Sequence, residues 1–268
     1  MNKSIKKVKL FINDNEKSKK IAIIVENALK KAKLEIVDKD YDLAIAIGGD
    51  GSFLRMVKEN LFDSNIYYVG INAGTLGFLQ EIRLEDIEEF VKDIINQNYK
   101  VVPIGMQETS VITKDSKSFF YSLNDIVIRE GDLNACKLKV WIDDIFLERY
   151  VGDGLLITTS IGSTAYNLSF GGSIVFEDFH TLQLTPIAPL NSKAYRNLLN
   201  SLIIPENRVI SIQPDEDNQK LIITVDGENL IYNDVLKIET VVNNKKINCI
   251  RLNQNSFVNK IYEKFLKD

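Results

Sequence analysis

The sequence predicts an α/β unit followed by a β-rich unit. Three observations carry that prediction. Over residues 1–102, strand-length apolar runs alternate with helical periodicity. Over residues 103–252, short runs rich in β-branched and aromatic residues follow one another between turn residues. Between strand and helix in the first part, the apolar run 43–47 stops at Gly48-Gly49-Asp50-Gly51-Ser52, a sharp glycine turn.

The elements follow in order. Residues 7–12 read as a short strand, and 17–31 as a helix with Ile21, Ile24, Val25, Ala28 and Leu29 on one face. Residues 43–47 are a buried strand, with a helix over 53–60 after the glycine turn. A strand at 66–71 ends in Asn72-Ala73-Gly74-Thr75-Leu76-Gly77-Phe78, and a helix at 84–96 opens on Glu85 and Asp86. Strands alternating with helices predict a parallel sheet. After Pro103, strands are predicted at 109–112, 119–122, 125–129, 135–142, 145–151, 155–158, 209–213, 221–225 and 235–242. Asp143-Asp144 and Asp226-Gly227-Glu228-Asn229 read as hairpin turns. A helical stretch at 165–168 follows Gly162-Ser163-Thr164. The tail, 257–266, is helical, with Phe257, Ile261 and Phe265 at i, i+4 and i+8. That face needs a partner, and the N-terminal domain is the expected one. The expected domains are therefore 1–102, 103–252 and a returning helix in 253–268.

Composition narrows the function. With 45% hydrophobic and 26% charged residues, the 268-residue chain has the profile of a soluble globular protein. A net charge of -4 argues against a dedicated nucleic-acid binder. No apolar run approaches the roughly 18 residues that a membrane span needs, and no apolar h-region follows the basic N-terminus. Cys136 and Cys249 show no metal spacing and read as reduced thiols of a cytoplasmic protein. With His180 the single histidine, carboxylates are the better candidates for acid–base chemistry.

Four segments are too polar and glycine-rich for ordinary connections. In the first, Asp50 is the only ionisable group of a turn at a strand's C-terminal end, where open α/β sheets bind ligands. The helix that follows favours anions at its N-terminus. The turn suits phosphate binding beside a proton-accepting carboxylate; the plainer alternative makes Asp50 a helix cap. The second segment is 70–78, where Phe78 forms either an apolar wall or part of the core. The third is Leu123-Asn124-Asp125-Ile126, suited to a ribose diol or a base edge, or to an Asx-turn. The fourth runs from Gly152-Asp153-Gly154 through Gly162-Ser163-Thr164-Ala165-Tyr166-Asn167, where hydroxyls and a helix start suit a phosphate or a base edge. Ser163 as a helix cap is its alternative reading. The Walker-type glycine–lysine loop and the Gly-x-Gly-x-x-Gly fingerprint are both missing from the sequence.

Gly-Gly-Asp-Gly turns recur in 6-phosphofructokinases, in lipid kinases and in NAD kinases. Taken with Asn124-Asp125, Gly152-Asp153-Gly154, the Gly162 to Asn167 segment, Gly171-Gly172 and Val225-Asp226-Gly227, the turn resembles the bacterial NAD kinase family over nearly the whole chain. The resemblance implies a Rossmann-like parallel sheet in an N-terminal α/β domain, a β-rich C-terminal domain, and a C-terminal helix packing back on the first. It implies transfer of the γ-phosphoryl of ATP to the 2′-hydroxyl of NAD's adenosine ribose. Asp50 matches the family's general base. Asn124 and Asp125 match ribose and adenine contacts, and Thr164, Ala165 and Tyr166 match the adenosine site, beside which Ser163 is a further expected binding residue. Asp153 and Ala188 match the nicotinamide end, Phe78 an apolar wall, and Asp226 an acidic group near the nucleotide. Gly48, Gly49, Gly51 and Arg55 are the expected phosphate-binding turn. The resemblance also implies a divalent ion, magnesium, carried on the ATP phosphates without protein ligands of its own, and a homodimer or homotetramer. The chain departs from the family in having Asn-Asp where Asn-Glu is usual, and Val151 where a basic residue often precedes Gly-Asp-Gly. A lipid or sugar kinase, and a dinucleotide sensor without turnover, are the competing readings. The sugar kinase is disfavoured by the single histidine, and the sensor by the presence of Asp50.

Overall fold

The structure is a computed structural model that describes residues 4–74, 77–132, 134–216, 220–252 and 256–267. Thr75 and Leu76 of the loop before Phe78, and 253–255 ahead of the tail helix, lie outside the described residues. The chain forms two compact units, Met1–Ile104 with Lys246–Asp268, and Gly105–Lys245.

The first unit runs β1 (Lys7–Ile12), α1 (Glu16–Lys31), β2 (Glu35–Ile36), β3 (Leu43–Gly48), α2 (Asp50–Glu59), β4 (Tyr67–Asn72) and α3 (Ile87–Asn96), the last entered through a 3-10 turn at Leu84–Asp86. The strands β2, β1, β3 and β4 lie side by side and parallel. Every residue of β3 is buried. Leu43, Ile45 and Ile47 share a core with Val25 and Leu29 of α1 and Phe90 and Ile94 of α3, while α2 also packs on β3. A parallel strand covered on both faces needs an unbroken apolar run, which is what the sequence supplies. Asn15 caps α1, accepting from the Ser18 N–H at 2.8 Å. Ile24 does not join the buried stripe of Ile21, Val25 and Leu29 but is 46% exposed, because at 3.6 residues per turn it falls on the flank of the helix. α2 starts at Asp50, earlier than expected: Gly49 is extended and acts as N-cap, and its carbonyl already accepts from Ser52 and Phe53.

The chain enters the second unit within β5 (Lys100–Thr113) and continues through β6 (Lys117–Ser122), β7 (Asp125–Glu130), β8 (Cys136–Ile142), β9 (Ile145–Gly152), β10 (Gly154–Thr159), β11 (Thr181–Ile187), β12 (Leu202–Pro205), β13 (Ile210–Pro214), β14 (Leu221–Val225), β15 (Glu228–Tyr232) and β16 (Val235–Arg251). One antiparallel sheet has the order β12-β11-β10-β7-β14-β15. In the other, β13 pairs with β8 and with the first part of β16, β8 with β9, and β5 with β6. Ile126, Ile128, Leu155 and Ile157 of the first sheet pack against Leu138, Val140, Ile210 and Ile238 of the second. Asp143 and Asp144 turn between β8 and β9 with φ of 49° and 65°, as do Asp226 and Gly227 between β14 and β15 with 45° and 90°. Positive φ at both central residues matches the strand twist in two-residue hairpins.

β11, β12 and β15 were not expected, and β5 and β16 are longer than the sequence suggests. β11 is nearly all buried although it reads Thr-Leu-Gln-Leu-Thr-Pro-Ile. Its polar side chains find partners: Gln183 bonds the Ser173 backbone and Thr185 donates to Asn167. The helix expected at 165–168 is replaced by two 3-10 turns, Ile161–Thr164 and Tyr166–Phe170, broken at Ala165.

The last part of β16 returns to the first unit, where Asn248 and Cys249 pair parallel with Tyr67 and Tyr68 of β4. α4 (Phe257–Ile261) then passes into a π-turn at Tyr262–Leu266, so the tail is not one continuous α-helix. Its apolar face meets Phe78, whose ring centroid lies 5.9 Å from Phe257 and 5.6 Å from Phe265. Among the described residues, no helix is long and apolar enough to cross a membrane.

Candidate active site

The first-unit residues gather at the end of β3. Asp50 stands in the first turn of α2, but its carboxylate does not cap that helix. It accepts from the backbone N–H of Phe78 and of Leu79, each at 3.0 Å, one on each oxygen. A carboxylate has about four lone-pair sites, so the grip leaves acceptor capacity for a ligand. Gly77 makes the approach possible: a Cβ there would lie 2.0 Å from Asp50 Oδ1. Around Gly49 and Gly51 a Cβ would meet nothing within 4 Å, so that backbone is open, whereas at Gly48 it would strike the Ser52 hydroxyl. Arg55 lies 3.7 Å from Glu59 and donates to the carbonyl of Ile12, the strand partner of Ile47 just ahead of the turn. Phe78 is 8% exposed, packed on the tail as a core residue.

In the second unit the backbone of 123–125 is gripped from both sides. Asp226 accepts from the N–H groups of Leu123, Asn124 and Asp125 at 2.8, 2.8 and 3.1 Å. Thr158 and Thr159 hydroxyls donate to the carbonyls of Asn124 and Leu123, and the Asp226 N–H donates to the Asp125 carbonyl. Gly162 lies against this segment, where a Cβ would be 2.2 Å from the Asn124 carbonyl oxygen. With the main chain so satisfied, the polar atoms left for a ligand are in the side chains of Asn124 and Asp125. Asn124 Oδ1 is buried and, among the described residues, has no hydrogen-bond partner. Asp125 is 6% exposed. Burial, and then the charge of Asp226, push its carboxyl up to about 7.

The Gly152-Asp153-Gly154 turn is held by Tyr150, whose hydroxyl accepts from Gly154 N–H and donates to the Ile187 carbonyl. Asp153 is exposed, and its N–H donates to Ile187. Ala188 follows at φ 44°, with its carbonyl 2.8 Å from where a Gly152 Cβ would stand. In the 3-10 turns, Ser163 is fully buried and its hydroxyl both donates to and accepts from the Val175 backbone. It is neither a helix cap nor turned outward. Thr164 and Ala165 are partly exposed, and Tyr166 is 44% exposed. Arg129 donates to the Tyr166 hydroxyl and lies over its ring, 5.7 Å from the centroid. The structure thus brings Asp50 together with Gly77 and Phe78, and Asn124 and Asp125 together with Asp226 and Gly162. Little in the sequence marks Tyr150 or Arg129, since the Ile187 carbonyl and the Tyr166 hydroxyl they bond are each 37 residues away.

The chain thus combines a parallel α/β unit, a second unit of two packed antiparallel sheets, and a chain end returned to the first unit. Residues 2–99 match the ATP-NAD kinase N-terminal domain, and 123–251 match the ATP-NAD kinase C-terminal domain. The chain is 38% identical over 274 residues to the NAD kinase of Finegoldia magna, covering 99% of this chain and 100% of that protein. It is 34% identical to the NAD kinase of Clostridium botulinum, over 84% of this chain and 77% of that protein. The chain belongs to the ATP-NAD kinase family. Two crystal structures share its fold. Yeast NADH kinase complexed with NADH matches with a TM-score of 0.85 at 23% identity, over 99% of this chain and 89% of that one. An NAD kinase from Archaeoglobus fulgidus in complex with ATP matches with a TM-score of 0.74 at 20% identity, over 96% and 98%.

Proposed function

We propose that this chain transfers the γ-phosphoryl of ATP to the 2′-hydroxyl of the adenosine ribose of NAD, giving NADP and ADP. The observation that carries the reading is the match of both parts of the chain to one kinase family. The roles divide by unit. In the first, Asp50 is the general base: a ribose hydroxyl is a weak nucleophile, and the carboxylate accepts its proton as the new O–P bond forms and the bond to ADP breaks. Gly49 and Gly51 offer open backbone to the phosphates, and Gly48 packs on Ser52 to set the helix N-terminus that faces them. Arg55, held at the Ile12 carbonyl beside this glycine turn, adds a positive charge to it, and Phe78 serves through its backbone and its packing. In the second unit, Asn124 and Asp125 fork onto the nucleotide, Thr164, Ala165 and Tyr166 line the adenosine, and Asp153 and Ala188 face the nicotinamide end. Asp226 and Ser163 support these groups through the backbone. ATP enters as its magnesium complex, since a carboxylate beside bare polyphosphate would be repelled. The proposed compartment is the cytoplasm and the proposed assembly a homodimer or homotetramer.

The test is incubation of the purified protein with NAD, ATP and magnesium, with NADP read by an NADP-specific dehydrogenase. NADP that needs all three supports the proposal. No NADP despite measured NAD binding overturns it in favour of a binding protein.

The approach of Gly77 to Asp50 gives a second expectation. Gly77→Ala displaces the carboxylate from its two N–H donors while leaving the nucleotide residues of the second unit untouched. Its kcat is expected to fall by roughly 10-fold or more, within the ~10²-fold cost of a misplacement of about 1 Å. Steady-state kinetics check this, and native kcat would show that the grip on Asp50 is unimportant.

A further inference from the structure

Asp50 is held by N–H groups of irregular backbone, and such a grip is only as firm as the loop that carries it. The loop is anchored from the far end of the chain. Lys260 on α4 is 7% exposed, and its ammonium donates to the Phe78 carbonyl at 3.1 Å and to Glu81 Oε2 at 2.8 Å. Glu81 is itself buried, with its other oxygen accepting from the Leu252 N–H at 2.9 Å. The Arg251 guanidinium stands 3.9 Å from Glu81. A buried ammonium is costly unless it is paired and hydrogen-bonded. Neutralising Glu81 accounts for the bond between those two side chains; the bond to Phe78 remains to be explained.

The Phe78 carbonyl and the Leu79 N–H belong to one peptide group, which is planar and rigid. Its oxygen is held by Lys260 and its N–H donates to Asp50 Oδ1 at 3.0 Å. A cation on the carbonyl also polarises the N–H into a stronger donor, since linked hydrogen bonds reinforce one another. We infer that Lys260 is a positioning residue for phosphoryl transfer, setting the Asp50 carboxylate through the 78–79 peptide, with Glu81 holding Lys260 in place. The tail therefore completes the catalytic arrangement as well as covering Phe78. This inference rests on Asp50 as the base.

The experiment compares kcat and both KM values in full-length Lys260→Met, in the charge-balanced double variant Lys260→Met/Glu81→Gln, in Asp50→Asn, and in Asp50→Asn/Lys260→Met. Where Lys260→Met fails to fold, the double variant carries the test, because the introduced amide keeps an acceptor for the Leu252 N–H and no lone carboxylate is buried. The expected result is a kcat reduced roughly 10-fold or more in both Lys260 variants, with KM for NAD and ATP within about twofold of native. In the Asp50→Asn background, Lys260→Met should cost nothing further, since residues acting as a unit are not additive. Recovery of native kcat in the double variant overturns the inference, leaving Lys260 as a mere counter-ion of Glu81. An equal loss with and without Asp50 overturns it as well. Native kcat in Lys260→Met beside an inactive Asp50→Asn overturns this inference alone. Native kcat in Asp50→Asn overturns the base assignment and this inference with it.

Discussion

Asp50→Asn is expected to bind NAD as the native protein does and to turn over at least ~10²-fold more slowly, the scale of general base catalysis. The side chain keeps its shape and loses the proton acceptor. The amide also presents an NH2 to one of the two N–H donors at Phe78 and Leu79, so half of the present grip is lost. Nucleotide recognition is assigned to the second unit, so affinity for NAD should hold. Calorimetry for NAD binding and single-turnover kinetics for the phosphoryl step separate the two effects. A loss of NAD affinity matching the loss of rate would make Asp50 a binding group. Turnover within about threefold of native would remove it from proton transfer altogether.

How much of this was legible in the sequence depends on the range of the forces concerned. β3 and its glycine turn could be read because a strand buried on both faces has no choice but an apolar run, and because the turn is local. The Asp143-Asp144 and Asp226-Gly227 hairpins could be read for the same reason. β11 could not: Thr181, Gln183, Thr185 and Pro186 interrupt its pattern, and the partners of its three polar side chains lie 10 to 21 residues away. Residues 165–168 read as a helix because Gly162-Ser163-Thr164 ahead of them has the pattern of a helix start. What wins is packing, with Gly162 pressed on the Asn124 carbonyl and the Asn167 amide donating to the carbonyls of Ser163 and Ser173.

The candidate site shows the same division. Asp50, Asn124 and Asp125 stood out as polar groups in unusual turns. Asp226 was placed near the nucleotide by resemblance, and its turn was recognised. Its grip on three successive N–H groups, 101 to 103 residues away, was beyond any local signal. Ser163 looked available because a hydroxyl after glycine suits a phosphate, and only its bonds to Val175 show it to be structural. Lys260 is one lysine among many in the sequence. Its burial against Glu81 and Phe78 sets it apart.

Asp125→Asn should make the protein more stable at pH 8 and poorer at holding NAD. Asp125 is buried, faces the charge of Asp226, and has its carboxyl raised from 3.8 to about 7. The direction of the pH effect follows from proton counting. Between those two values the folded chain holds a proton on Asp125 that the unfolded chain has released. Stability therefore falls as pH rises through the window, and the loss is complete above about 7. A rise of that size corresponds to roughly 4 kcal/mol. An asparagine carries no such penalty, so the stability difference between variant and native should be small near pH 4, grow up to about pH 7, and level off. Denaturant unfolding of both proteins across that range, with KM for NAD measured alongside, checks the slope. A difference that does not change with pH would mean that Asp125 titrates normally and that its burial is relieved in solution. The expected curve would mean that the protein keeps a destabilising carboxylate at the start of β7, in a segment where Asp226, Thr158 and Thr159 have already satisfied the backbone. A group retained at a cost to stability is best explained by the ligand it is there to meet.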